Sequence, residues 1–545
     1  MQRLASFLGI FVLTTATVAH QAAAQQQAQA PPAASVVSGT VIDVTTQEPL
    51  AKVLLRMVAD EPQGVQIYTV QTDAEGKFSI REIVPGRYWM GVYRNGFVFA
   101  DRTAGGSIQR GGVIDVGPGQ TLDDLVLGMQ AAAVITGRVL DEDGEPEEGL
   151  TVEAVRFRSF GGARELLAEG HTLTNDNGEY RIYGLAQGGY YVRVNLNSTN
   201  GGESKRGLFG QHSGYVDTYY PNVHDAAQAS LLRITSKAEA TCIDFQMVRT
   251  KTLSMSGQIV DGTGQPATGG SLALLDRSKA DQRSRPRRMV VRRGGKFEAA
   301  GLVPGSYRLE AMVSSRDGSD FALYDFELAD RSIENLVIPA QPTFRAVGSV
   351  VIEGDYDKEA SPSQALAVLE PAGVHDMRVS LGRGNPNDQI VFTGLAPDSY
   401  RVRGPQLDSL YLKSATYNGR DAMAEAVRVE DGGGEFEIVL SANGARVDGQ
   451  VVRDGEGISG AWVALIPEVT QRNDLRKFAS TDQYGVFAFS GIAPGRYKIF
   501  AWENMEASFG RDPKVLAEVA DQGVRVELKE GDAKRVTPKL IESEQ

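Results

Sequence analysis

One short pattern returns five times along the chain, and a repeat of that period limits the architecture more than any single residue does. The first copy carries Gly76, Phe78, Ile80, Ile83, Pro85, Gly86 and Tyr88, and the second carries Gly178, Tyr180, Ile182, Leu185, Gly188 and Tyr190. The third holds Gly295, Phe297, Gly301, Leu302, Pro304, Gly305 and Tyr307, and the fourth Ile390, Phe392, Gly394, Leu395, Pro397, Asp398 and Tyr400. The fifth holds Gly485, Phe487, Phe489, Gly491, Ile492, Pro494, Gly495 and Tyr497. Where the opening glycine is present it precedes the tyrosine by 12 residues; the fourth copy has Asp388 in its place. Upstream, a small residue and a glycine open a β-branched strand at Gly39, Gly137, Gly257, Gly348 and Gly449, which lie 49, 53, 50, 52 and 48 residues before the tyrosines. A closing apolar segment follows each copy, at 125–127, 243–247, 336–338, 436–440 and 536–540.

The residue types suit a strand, a tight turn and a second strand. Proline fixes φ before the turn and glycine accepts a positive φ after it, so a type II turn is expected at Pro85 and Gly86, Pro304 and Gly305, and Pro494 and Gly495. Asp398 is one of the few side chains that tolerates that conformation in the fourth copy. Beyond the turn, apolar residues alternate: Tyr88, Met90, Val92; Tyr190, Val192, Val194; Tyr307, Leu309, Ala311; Tyr497, Ile499, Ala501. A period of two with one apolar face is an antiparallel strand packed on one side. No segment sustains a helical period over comparable length, and 61 glycines in 545 residues suit a chain with many turns. The expected class is all-β: a tandem array of about five β-sandwich domains of ~100 residues each. They span 36–132, 133–252 with an insertion at 197–241, 253–342, a divergent 343–444, and 445–545.

Residues 1–24 read as a signal peptide, with Arg3 before an apolar run from Leu4 to Leu13 and small residues Ala22 and Ala24 at the cleavage site. That run is shorter than the ~20 residues that cross a bilayer, and no later segment qualifies as membrane-spanning. Residues 25–35 form a flexible leader, so the protein is expected to be exported to the periplasm or the extracellular space. With 56 Lys and Arg against 69 Asp and Glu the formal charge is -13, which disfavours a nucleic-acid partner. A single cysteine excludes an internal disulfide framework.

The pattern from Gly39, Val41 and Asp43 through Thr72, Asp73, Gly76 and Phe78 to Pro85, Gly86 and Tyr88 resembles the carboxypeptidase regulatory-like domain. The fifth copy, with Thr481, Asp482, Gly485 and Phe487, resembles it equally well. The resemblance implies a transthyretin-like or starch-binding-like sandwich, of a kind appended to many exported bacterial proteins and repeated here five times, with the fourth copy divergent. It implies the accessory domain of such peptidases and not the catalytic one.

The residues themselves agree that no peptidase site is present. A zinc carboxypeptidase needs a histidine followed three residues later by glutamate. The positions three beyond His171, His212, His224 and His375 are Thr174, Tyr215, Ala227 and Arg378. No cofactor or metal is expected, and the protein is read as no enzyme. Asn175, Asp176 and Asn177 could ligate calcium, but the same residue types make an ordinary tight turn. Candidate binding residues are of two kinds. Strand parity sends Phe500 and Trp502 outward in the last unit, and Trp89 and Tyr93 outward in the first. The insertion of the second unit adds His212, Tyr219, Tyr220 and His224, which could form a sugar or metal site or could anchor the loop. A basic stretch at 276–296, with Arg285, Arg287, Arg288, Arg292 and Arg293, is a further surface that could meet anionic groups. Two functions follow. The protein is a recognition module for a glycan or an envelope protein, or a structural stalk or accessory subunit with no ligand. Exposed outward aromatics would favour the first; buried ones would favour the second.

Overall fold

The structure is a computed structural model that describes residues 35–59, 66–99, 112–160, 163–196, 215–277, 286–315, 318–356, 365–372, 380–384, 389–405, 407, 409–469, 472–502 and 513–541. The signal expectation, and the leader expectation as far as residue 34, lie outside these residues; Ser35, expected to end the leader, is instead the buried first residue of the strand Ser35–Asp43. Within them the chain is almost entirely β, as its alternating pattern requires.

Each repeat builds the same centre. The strand opened by the small-residue pair lies between an antiparallel strand carrying the first half of the motif and a parallel closing strand. In the first repeat Ser35–Asp43 lies between Lys77–Ile83 and Thr121–Ala131. In the third, Leu253–Val260 lies between Lys296–Leu302 and Ile333–Pro339. Phe344–Glu353 and Ala445–Gln450 are flanked in the same way. The tyrosine strand belongs to the facing sheet, as Gly86–Tyr93 does between Leu54–Ala59 and Val113–Val116. In the divergent fourth repeat Ser380–Gly384 pairs with both Ala365–Pro371 and Gln389–Leu395, which joins nine strands into one sheet.

Five buried clusters fill these sheets, and each draws its residues from one repeat. Tyr88, Met90 and Val92 belong to one, and Tyr497, Ile499 and Ala501 to another, so the inward parity expected of these strands holds.

The motif tyrosine ties the turn that precedes it. Its hydroxyl donates to the carbonyl four residues upstream in every copy: Tyr88 to Val84 at 2.6 Å, Tyr190 to Ala186 at 2.8 Å, Tyr307 to Val303 at 2.8 Å, Tyr400 to Ala396 at 2.9 Å and Tyr497 to Ala493 at 2.8 Å. A buried phenol must satisfy its hydroxyl, and this carbonyl is within reach only if the turn is tight.

The turn expectation needs correction. Gly86, Gly305 and Asp398 do not have positive φ. The positive φ sits four residues earlier, at Glu82 (59°), Gly184 (74°), Gly301 (71°), Gly394 (69°) and Gly491 (59°). Each of these is the extra residue of a β-bulge. Ile83 pairs with Ser35 but Ile80 with Val37, and the same slip recurs at Leu185, Leu302, Leu395 and Ile492. Gly495 does keep a φ of 155°, and a Cβ there would meet the Tyr497 ring at 3.4 Å.

The strand-opening glycines have a different cause. A Cβ on Gly39, Gly137 or Gly257 would lie 2.1 Å from a carbonyl oxygen of the closing segment, and on Gly348 and Gly449 at 2.2 and 2.4 Å. Only glycine lets those two backbones approach so closely.

Candidate functional site

The tyrosine strand of the last repeat, Gly495–Trp502, ends at Trp502 and has two apolar faces. Its inward residues join the repeat's main core. Its outward residues Phe500 and Trp502 stack with ring centroids 5.6 Å apart at 17°. On the neighbouring strand Trp462–Pro467, Trp462 lies directly opposite Trp502 and Ala464 opposite Phe500. Phe478, one strand further, stacks on Trp462 at 5.6 Å and 16°. The four rings form a continuous row across the outer face of one sheet.

That row is covered by the same chain. Phe500 is 3% exposed and Trp502 1%, in a second small core with Ala464 and Ile541 against which Leu516 and Val519 also pack. Leu516 comes from the helix Pro513–Glu518, and Ile541 from the short strand Leu540–Ile541, which pairs in parallel with Ala501 and Trp502. The outward parity expected of the rings holds, and of the two alternatives left open for that face the structure shows burial by this chain. The closing strand also lies earlier than the expected 536–540. Ala533–Val536 completes the first sheet, Pro538 cannot donate to a ladder, and the chain crosses to the other sheet before Leu540. Trp462 and Phe478 were missed, although the alternation of Trp462, Ala464 and Ile466 with core residues Val463 and Leu465 marks the same outward face. The Trp462 indole nitrogen is buried without a hydrogen-bond partner among the described residues.

The other candidates lie elsewhere. Trp89 and Tyr93 sit half-buried on Gly86–Tyr93 of the first repeat. In the second repeat residues 197–214 of the insertion lie outside the described residues, and its described part, 215–241, folds back on its own sandwich. Tyr219 is buried, its backbone pairs with Val223, and its hydroxyl accepts from Arg193 at 3.3 Å. Arg193 in turn pairs with buried Glu153 at 2.8 Å. Tyr220 is half-buried and meets Phe245 edge-on at 6.2 Å. His224 is exposed, and His212 lies outside the described residues. Among the described residues these aromatics occupy sheets of three different repeats.

Asn175 and its neighbours are engaged in the turn itself. Asn175 Oδ1 accepts from the backbone N–H of Asn177 at 3.1 Å and of Glu179 at 2.8 Å, as Asp73 and Asp482 do in their copies. Of the basic stretch, Arg285 lies outside the described residues, Arg292 and Arg293 are exposed, and Arg287 donates to the Ala300 carbonyl while burial lowers its pKa. Among the described residues no helix is long and apolar enough to cross a membrane.

Fold and motif together define a protein of repeated β-sandwiches. Residues 36–123 match the family described as the carboxypeptidase regulatory-like domain. A curated relative, the BOS complex subunit NOMO1 of Mus musculus, is 28% identical over 168 residues, which are 31% of this chain and 12% of that relative's length. Among solved structures, a Streptococcal ancillary pilin is 12% identical over 57% of this chain and 99% of its own, with a TM-score of 0.19. The minor pilin GBS52 of Streptococcus agalactiae is 14% identical over 40% of this chain and 98% of its own, with a TM-score of 0.21. Scores this low bear on nothing this chain does.

Proposed function

We propose that this is an exported, non-catalytic β-sandwich protein with a structural or accessory role in the cell envelope, whose outward aromatics serve its own packing. The observation that carries this reading is the burial of Phe500 and Trp502, at 3% and 1% exposure, beneath Leu516, Val519 and Ile541 of the same chain. A sheet face built to bind a ligand would keep its rings open to solvent. Export rests on the residues at 1–24, and the unit boundaries on the repeat spacing: 36–132, 133–252, 253–342, 343–444 and 445–545. The mouse relative's name describes a complex subunit, which agrees with an accessory role. The recognition reading, with a glycan or an envelope protein as partner, keeps one foothold at half-buried Trp89 and Tyr93 in the first unit.

A screen of residues 36–545 against envelope glycans, run with an assay for release of C-terminal amino acids, tests the proposal. It predicts no selective glycan retention and no chelator-sensitive release. Selective retention abolished by Trp89→Ala at an unchanged melting temperature would establish recognition in its place.

A further inference from the structure

The first and last repeats touch. Val113–Val116 is the edge strand of its sheet, paired on one side with Gly86–Tyr93. Its other side carries the Asp115 N–H and C=O, and both are taken by one side chain 368 residues away. Gln483 Oε1 accepts from Asp115 N at 3.3 Å, and Gln483 Nε2 donates to Asp115 O at 3.0 Å. A primary amide used this way supplies both bonds that a paired residue of an added strand would make. Beside it Gln120 Nε2 donates to the Tyr484 hydroxyl at 3.3 Å. Both partners are held in place. Gln120 Oε1 accepts from Gly117 N at 2.7 Å, and Asp482 Oδ1 accepts from the N–H groups of Tyr484 and Val486 at 2.9 and 2.8 Å.

We infer that the turn at Gln483 and Tyr484 is a clasp that docks on the edge strand of the first repeat and closes the chain head to tail. The equivalent turn positions hold Ala74 and Glu75 in the first copy and Asp176 and Asn177 in the second, so the pair is particular to the last copy. An exposed edge strand invites pairing with other chains, and the clasp occupies it. Two exposed polar contacts would not hold separate molecules together. Within one chain, tethering supplies a high effective concentration, so the occupant is this chain's own last repeat. The connectors favour that geometry. Ala132 alone separates Thr121–Ala131 from Ala133–Leu140, and Thr343 alone separates Gln341–Pro342 from Phe344–Glu353. The fourth and fifth repeats are locked by Glu530, which accepts from Tyr411 and Ser441, and by Asp474, which accepts from Gly404 N. This inference is independent of whether the protein binds a glycan.

Ser459 Oγ lies 4.0 Å from where a Cβ on Gly112 would sit, with nothing nearer. The test is the Gly112→Cys/Ser459→Cys pair in a Cys242→Ser background, oxidised in dilute solution. The clasp predicts a disulfide within single chains, seen as faster migration without reductant, and solution scattering that matches the wild type. Adding Gln483→Ala and Tyr484→Ala should lower the yield several-fold. In the wild-type background the same two alanines should enlarge the maximum dimension while circular dichroism stays unchanged. A disulfide only between chains, a yield indifferent to the alanines, or a wild type already extended in scattering would overturn the inference.

Discussion

At the scale of residues, the chain repeats three constraints that differ in physical origin. The tyrosine hydroxyl closes the turn, the bulge residue takes a left-handed conformation, and the strand-opening glycine admits a neighbouring carbonyl. The first is a local hydrogen bond, so Tyr497→Phe should cost about 0.5–1.5 kcal/mol by thermal unfolding of the full chain, with no change in secondary structure. The third is steric. A Cβ on Gly257 would lie 2.1 Å from the Leu336 oxygen, and Gly257→Ala should destabilise the third repeat by about 3 kcal/mol. An unchanged melting profile would mean that the two strands do not approach as described. The tyrosine and the apolar residues repeated with it were legible because they recur at fixed spacing, whereas the bond its hydroxyl makes to the carbonyl four residues upstream was not. The left-handed position was misplaced, because a proline followed by glycine signals a turn locally, whereas the bulge at Gly301 or Gly491 is set by register against a distant strand.

At the scale of elements, strand parity was enough to place Tyr497, Ile499 and Ala501 on one face and Phe500 and Trp502 on the other. What covers the second face was not legible. The helix Pro513–Glu518 is six residues long, too short to show a period, and Leu540–Ile541 reads as the tail of a strand that in fact ends at Val536. Leu516→Asp should therefore expose the aromatic row: acrylamide quenching of tryptophan fluorescence should rise while the main core of the last repeat persists. Unchanged quenching would show that the helix is not the cover. The described part of the second repeat's insertion was legible as an anchored segment through its paired tyrosines: Tyr219 pairs with Arg193 in the sheet, and Tyr220 packs against the core.

At the scale of the whole molecule, the repeats meet through polar joints, and between the fourth and fifth repeats the carboxyls of both Asp474 and Glu530 are held below their ordinary values, Asp474 being the more buried. Burial alone would raise the Asp474 carboxyl, but hydrogen bonding and charge from Arg472, with Gly404 N–H and Arg403, hold it below the usual carboxylate range. A folded-state pKa below the unfolded value stabilises the protein fully above the unfolded value. That stability is lost as pH falls, because the unfolded chain takes up the proton first. Stability of the joint between the fourth and fifth repeats should thus be flat above about pH 5 and decline as pH drops through about 4. Asp474→Asn should remove that part of the slope in pH-dependent melts. The central claim, that the outward aromatics of the last repeat pack the protein's own chain, is tested most directly by Trp502→Ala, measured for melting temperature and for retention on envelope glycans. Loss of the indole should cost about 3–5 kcal/mol. The account predicts a lowered melting temperature with glycan retention absent in wild type and variant alike; an unchanged melting temperature with loss of a retention that the wild type possesses would contradict it.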